Sequence, residues 1–222
     1  MKAAPGVRFW QGYGMTECGV ASCLSPEDHG GDPARLRSVG RAAIGVEIEI
    51  RDPETGTPVP RGGIGEIWLR CDSLLKEYWG KPAETAEVLR DGFYRTGDAG
   101  RLDDEHYLFL EDRIKDMIVT GGENVYSLEV ENAIASHPAV GQVAVVGVPD
   151  AKWGEAVHAV VVCDPKAVTA ADLEAHAREG IASYKVPKGW TLQAEPLPLS
   201  AAGKVLKRDV REQLENEKRA AN

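Results

Sequence analysis

The sequence predicts a mixed α+β fold in two parts, an antiparallel β-rich stretch over residues 1–112 and a compact α+β unit over 113–222. Three observations predict it. Alternating apolar and charged runs, Val46–Ile50 (VEIEI) and Ile64–Arg70 (IGEIWLR), sit between turn clusters in the first part, as half-buried strands do. The texture changes after about Arg113, where helical spacing and β-branched runs interleave. The 24 Gly and 13 Pro exceed what a simple helix bundle uses and imply many tight turns.

The elements follow in order. The first forty residues read as loop-rich, with GYG and then SPEDHGGDP. Strand Val46–Ile50 leads through the turn cluster DPETGTPVPRGG to strand Ile64–Arg70. Lys81–Leu89 reads as a short helix starting near Pro82, Asp91-Gly92 as a turn, and Tyr107–Leu110 as a strand. Met117–Val119 and Asn124–Tyr126 flank Gly121-Gly122 as in a hairpin. Ser127 is placed to cap a helix to Ser136 with Val130, Ala133 and Ile134 on one face. Strands Gln142–Val148 and Val157–Cys163 come next. Thr169 and Asp172 form a capping-box pattern before a helix striped by Leu173, Ala177 and Ile181. A last helix is expected over Leu206–Leu214, with a frayed tail to Asn222.

Composition bounds the function classes. The formal charge of −9 argues against broad nucleic-acid binding, since nothing global attracts a polyanion. Cys18, Cys23, Cys71 and Cys163 show no zinc-ligand spacing, so reduced thiols and a cytoplasmic setting are expected. The N-terminus MKAAPGVRFWQGYG has no apolar signal region, and the longest apolar runs are too short for a transmembrane segment.

Four segments carry chemistry. In Tyr13-Gly14-Met15-Thr16-Glu17, glycines let backbone approach a ligand, tyrosine offers a stacking face, and Glu17 is a hard oxygen donor suited to Mg²⁺. A turn with a helix cap would use the same residues. In Tyr94-Arg95-Thr96-Gly97-Asp98, the aspartate could accept both hydroxyls of a ribose diol, or simply cap a turn. Asp112-Arg113-Ile114-Lys115-Asp116 supplies an arginine able to bond ribose or phosphate oxygens, although a surface charge cluster looks the same. Pro198–Lys204 (PLSAAGK) ends a small-residue loop in one lysine, suited to an anion as a point charge and equally ordinary as a solvated lysine.

Taken in order and spacing, from about Phe9 to Leu214, these segments resemble the adenylate-forming superfamily: acyl-CoA synthetases, firefly-type luciferases and peptide-synthetase adenylation domains. GEIWLR (Gly65–Arg70), EYWGKPAET (Glu77–Thr85), PDAKWGE (Pro149–Glu155) and YKVPK (Tyr184–Lys188) belong to the same resemblance. It implies the β-rich, distorted barrel-like end of a large adenylation domain followed by a small mobile α+β lid. It implies a carboxylic acid, expected to be fatty, that attacks the α-phosphate of ATP to give acyl-adenylate and pyrophosphate, after which CoA displaces AMP. By this resemblance Tyr13 and Gly14 flank the nucleotide, Thr16 touches the α-phosphate, and Glu17 holds Mg²⁺. Asp98 binds the ribose with Arg113 nearby, Lys204 bridges carboxylate and phosphate, and Lys115 is the hinge. Gly121, Gly122, Trp153, Tyr184 and Lys188 match positions facing CoA, while packing alone would account equally well for Trp153 and Tyr184.

The stretch Lys115–Glu131 resembles acid–CoA ligases more than peptide-synthetase domains, which carry Asp at the hinge and Arg-Ile after the glycine. Cys71, Glu77 and His106 depart from the family's usual glycines and put local backbone geometry in question. The family's Ser/Thr/Gly-rich phosphate loop is not in these residues, so the chain reads as a C-terminal portion. Three readings follow: part of a complete enzyme, with the missing N-terminal half in cis or trans; a non-catalytic AMP- or CoA-binding module; or a fragment that self-associates through its exposed edge. The isolated chain is expected to be inactive. From Ile181 to Arg211, six Lys/Arg against two acids give a local +4 where ATP or CoA could be steered.

Overall fold

The computed structural model describes residues 6–201 and 203–220. The chain divides into two compact units, with the break between Ile114 and Lys115. The break falls there because Asp112 and Arg113 still belong to a sheet, paired with Ala99 and Asp98.

The first unit opens with a hairpin where a loop was expected. Strands β1 (Gln11–Met15) and β2 (Gly19–Leu24) pair antiparallel, and β3 (Arg41–Ala42) extends them to a three-stranded sheet. Glycines hide this hairpin from a propensity reading. One of them is obligatory: a Cβ on Gly14 would lie 2.2 Å from the Gly19 carbonyl oxygen, at the register shift beside Tyr13. No helix follows the Thr16-Glu17 turn, so the helix-cap alternative fails. Two short 3-10 turns, Asp28–Gly30 and Pro33–Arg37, fill the connection to β3.

A five-stranded, curled sheet makes up the rest of this unit. It runs β4 (Glu47–Arg51), β5 (Gly65–Arg70), β7 (Phe93–Leu102) and β6 (Leu89–Arg90), with β8 (Leu108–Arg113) on β7; helix α1 (Pro82–Val88) precedes β6. Strand β7 carries no readable alternation because the Thr96-Gly97-Asp98 turn interrupts it, with Gly97 at φ 69°. Ile50, Ile67, Leu69 and Leu108 form the core with Tyr13, Cys18, Ala21 and Val39. His106, where the family favours glycine, does adopt the left-handed region at φ 65°. Asp103 stabilises that turn by accepting the Glu105 and Tyr107 amides.

The second unit is a five-stranded sheet with helices on both faces. Strands β9 (Ile118–Thr120) and β10 (Glu123–Val125) form the expected Gly121-Gly122 hairpin. Helix α2 (Ser127–Ala135) follows, then β11 (Gln142–Asp150) and β12 (Gly154–Val162), paired antiparallel over nine residues each. Helix α3 (Ala170–Gly180) starts with the predicted Thr169–Asp172 capping box. Strand β13 (Gly189–Gln193), unread in the sequence, pairs parallel to β12. Helix α4 (Lys207–Ala220) runs past Leu214, so the expected frayed tail is helical to Ala220; residues 221–222 lie outside the described residues.

Burial on both faces explains why β11 and β12 read as near-continuous valine runs. Val145, Val157, Ala159 and Val161 face Val130, Ile134, Leu173 and Ala177 of α2 and α3. Ala144, Val146, Val148, Ala156 and Val160 face Val210 and Leu214 of α4. Ser127 is the first helical residue, not the cap; its buried hydroxyl accepts a bond from Lys207 Nζ at 2.5 Å. Among the described residues no helix is long and apolar enough to cross a membrane.

Leu173 is fully buried in the α2–α3 core. Leu173→Ala is expected to destabilise the second unit by about 2–5 kcal/mol. Urea unfolding followed by intrinsic fluorescence checks this, and a change below about 1 kcal/mol would contradict the packing described.

Candidate functional site

Asp98 sits where β7 leaves regular pairing. Its Oδ2 accepts the Tyr13 hydroxyl at 2.7 Å and its Oδ1 accepts Arg113 Nε at 2.6 Å. A carboxylate offers about four lone-pair positions, so two remain for a further ligand. The side chain is 16% exposed, which leaves it an open aspect. Tyr13 is buried, and its phenol is pushed far above its ordinary pKa of 10.0, first by burial and then by the Asp98 charge. The tyrosine is therefore a lasting neutral donor that fixes the aspartate.

A second tie joins the same two segments. Tyr78 donates its hydroxyl to Glu17 Oε1 at 2.9 Å and lies 3.3 Å from the Tyr94 hydroxyl. The Glu17 carbonyl accepts the Leu75 amide and the Cys18 carbonyl accepts the Ser73 hydroxyl, each at 2.7 Å. The Gly14–Glu17 turn thus rests on the 71–78 loop, with Thr16 exposed and Glu17 half-buried. Mg²⁺ characteristically takes one or two carboxylates plus substrate phosphates, and the single Glu17 carboxylate fits that donor set. No cluster of three metal-ligating side chains occurs among the described residues. Cys71 sits at the start of this loop, its thiol 3.9 Å from the Cys18 carbonyl, while Glu77 is exposed.

In the second unit Lys115 is exposed within a 3-10 turn, Ile114–Asp116, and borders a pocket of about 510 Å³ with Lys207 and Arg211. Gly121 and Gly122 form the β9–β10 turn. The Gly121 amide donates to the Trp153 carbonyl at 2.9 Å, and a Cβ on Gly121 would come within 2.8 Å of the Trp153 ring. Trp153 is 42% exposed and carries the Lys152 ammonium over its face at 4.5 Å. Packing against the hairpin and exposure of the outer face therefore coexist in one residue. Tyr184 is 41% exposed, its ring taking the Lys185 ammonium at 5.7 Å, and Lys188 is exposed with its amide bonded to Val157.

Lys204 is exposed on a small loop closed by a Leu199–Val205 bridge. The Ser200 amide donates to the Lys204 carbonyl at 2.8 Å, and the Lys204 amide donates to Ser200 Oγ at 3.1 Å. Three residues on, Lys207 Nζ lies 2.7 Å from Glu131 Oε1, an oxygen that also accepts the Val145 amide at 2.8 Å. This anchor ties the loop to α2, and the sequence reading missed it because Lys207 looked like a helix-face charge.

The local +4 is largely neutralised by ion pairs, most of them to acids outside its window. Lys185 pairs with Glu129, Lys207 with Glu131, and Arg211 with Glu155 at 3.7 Å, while Arg208 pairs with Asp209 and Glu212. Lys188 and Lys204 are left without an ion-pair partner among the described residues. The charge available to an anion is thus concentrated at these two lysines.

Two family models match the chain. The AMP-binding enzyme model covers residues 1–79, and the AMP-binding enzyme C-terminal domain model covers residues 129–204. A long-chain-fatty-acid–CoA ligase, FadD13 of Mycobacterium tuberculosis, is 41% identical over 95% of this chain and 41% of its own length. Feruloyl-CoA synthase of an Amycolatopsis species is 42% identical over 93% of this chain and 41% of its own. The solved o-succinylbenzoate CoA synthetase (MenE) of Bacillus subtilis, with the acyl-adenylate intermediate OSB-AMP, superposes with a TM-score of 0.83 at 35% identity. That match covers 91% of this chain and 40% of the solved one. The chain therefore spans about two fifths of the length of the relatives it matches.

Burial, and then the Tyr78 bond, also push Tyr94 far above 10.0, as burial and Asp98 push Tyr13. An absorbance titration should show both phenols keeping their protons at pH values where free tyrosine ionises. The folded state then holds protons that the unfolded chain releases, so stability falls as pH rises above 10.0. Ionisation of all six tyrosines in one step near that pH, without unfolding, would contradict the site geometry. Gly121→Ala should cost about 1–2 kcal/mol, because φ is +62°, and should shift Trp153 emission. An unchanged melting point and spectrum would contradict the hairpin–ring contact.

Proposed function

The chain belongs to the AMP-binding enzyme family, and from that premise we propose that it serves the chemistry of an AMP-forming acid–CoA ligase. A carboxylic acid, of the fatty class by likeness to the long-chain enzyme, attacks the α-phosphate of ATP. Pyrophosphate leaves and an acyl-adenylate forms; the CoA thiol then displaces AMP to give the acyl-CoA. The observation that carries this reading is the Asp98 carboxylate, fixed by Tyr13 and Arg113 with acceptor positions left for the two ribose hydroxyls.

The other roles rest on that placement. Tyr13 and Gly14 border the adenine, Thr16 contacts the α-phosphate, and Glu17 holds Mg²⁺, which supplies charge neutralisation at the phosphates. Lys204 bridges the acid and the α-phosphate as negative charge redistributes. The support is its exposed position on a tight loop, without an ion-pair partner among the described residues. Lys115 serves as the hinge residue, exposed in the 3-10 turn at the start of the second unit. Trp153, Tyr184 and Lys188 face CoA, the aromatic rings toward its pantetheine and the lysine toward a phosphate. Four free cysteines support a cytoplasmic setting.

The 222 residues hold no Ser/Thr/Gly-rich phosphate loop, so in this reading the full reaction needs a further N-terminal half, in cis or in trans. Trp10 just before β1, Val20 in β2 and Ile44 just after β3, at 65%, 57% and 106% exposure, favour a partner surface at the first sheet, and without the partner they favour self-association.

Calorimetric titration with AMP tests the reading. Binding should be measurable, and Asp98→Asn should weaken it at least about tenfold, as loss of charge-assisted bonds to the ribose requires. The pure chain should catalyse no carboxylate-dependent ATP–pyrophosphate exchange. Robust exchange, or AMP affinity indifferent to Asp98, would overturn the proposal.

A further inference from the structure

The Asp98 turn has a hidden support. Between Glu66 and Trp68, β5 advances two residues, while their partners on β7, Ala99 and Arg95, are four residues apart. Thr96, Gly97 and Asp98 are therefore a bulge, and the ladder loses its bonding partners there. Two side chains replace them. Thr96 Oγ1 donates to the Ile67 carbonyl at 2.8 Å and accepts the Asp98 amide at 3.0 Å. Glu66 Oε1 accepts the Gly97 amide at 3.2 Å.

Glu66 is 3% exposed, an unusual place for a carboxylate. Burial of an unpaired charge would be strongly unfavourable, and here it is compensated. Its Oε2 accepts Trp68 Nε1 and Arg95 Nε, each at 3.0 Å, and Arg95 Nη2 closes the ion pair at 2.9 Å. Arg95 in turn donates to the Pro53 carbonyl at 3.3 Å, and Arg51 lies 4.3 Å over the Trp68 ring. Four N–H groups from three residues, Gly97, Trp68 and Arg95, converge on the two oxygens of one side chain. An amide in that place would offer one oxygen and turn its own N–H groups toward the Trp68 and Arg95 donors. The site therefore requires the carboxylate itself.

We propose that Glu66 is a positioning residue: its buried carboxylate holds the Thr96–Asp98 bulge in the one conformation that aims the Asp98 carboxylate at a nucleoside ribose. The proposal rests on the nucleotide reading above. Glu66 touches no ligand and acts through Gly97 and Asp98. Its neighbours on the strand fit this role: Ile67 and Leu69 face the core, while Glu66 and Trp68 face Arg95 and the turn. The glycine at φ 69° makes the turn possible, and Glu66 makes it permanent.

The test compares Glu66→Gln and Arg95→Gln with the unaltered chain in titrations with AMP and with 2′,3′-dideoxy-AMP. The unaltered chain should prefer AMP through its ribose hydroxyls. Both variants should lose that preference by about tenfold, with binding of the dideoxy nucleotide little changed. A merely structural role would weaken both nucleotides equally, or neither, and that result would overturn the proposal. Amide hydrogen exchange supplies a readout independent of nucleotide. Exchange at Gly97 and Asp98 should accelerate in Glu66→Gln while Ile67 and Leu69 stay protected. Unchanged exchange at Gly97 in a folded variant would overturn the proposal even if AMP binds normally. Failure of the unaltered chain to bind AMP would sink the nucleotide reading and with it the aim at ribose, leaving exchange to decide whether Glu66 holds the bulge. If Glu66→Gln does not fold, Arg95→Gln, whose side chain is 30% exposed, carries both measurements.

Discussion

The candidate nucleotide site depends on one shared carboxylate. Asp98 joins β1, through Tyr13, to β8, through Arg113, and so ties the small hairpin sheet to the curled sheet. Each bond is charge-assisted, and each is short. The tyrosine end is buried, so the link is screened from competing water, while the arginine end is open. A ligand approaching from the open side meets an acceptor that is already oriented. Little reorganisation is then needed on binding, which is the condition under which a hydrogen bond contributes most.

The second unit meets a different demand, because its exposed elements have to be held without being buried. The Gly121-Gly122 turn packs against Trp153, and Glu155 Oε2 accepts the Val119 amide just before that turn. Gly147 makes room for this: a Cβ there would lie 2.8 Å from the Glu155 carboxylate. The Lys204 loop is anchored from behind by Lys207, whose charge is answered by Glu131 and Ser127. In both places buried or half-buried polar groups set the backbone while Trp153 and Lys204 stay accessible. A sheet packed on both faces, by α2 and α3 on one side and α4 on the other, gives these loops a rigid base.

Much of this was legible in the sequence where local rules decide structure. The capping box at Thr169, the Gly121-Gly122 hairpin and the strands around Ile50 and Ile67 follow from residue type and period. What escaped reading depends on long-range pairing. The β1–β2 hairpin is glycine-rich and forms because the bulge at Gly14 admits the Gly19 carbonyl. Strand β7 is broken by the Thr96–Asp98 turn, and β13 gains its identity only beside β12. The residues of the chemical motifs could be picked out by pattern, but their supports could not. Tyr78, Glu66 and Lys207 are ordinary polar residues until folding places them against Glu17, Gly97 and Glu131. The apparent +4 patch erred for the same reason, since its neutralising partners Glu129, Glu131 and Glu155 lie outside the window that was counted.

The central claim is that the Asp98 turn is a ribose-binding element supplied ready-made by the fold. Backbone amide shifts of the isotopically labelled chain, recorded during an AMP titration, test it most directly. The account predicts saturable shifts at Gly97, Asp98 and Arg113 and in the Tyr13–Glu17 turn. Saturable binding with shifts confined elsewhere, or no shift at Gly97 and Asp98 at saturating AMP, would contradict it.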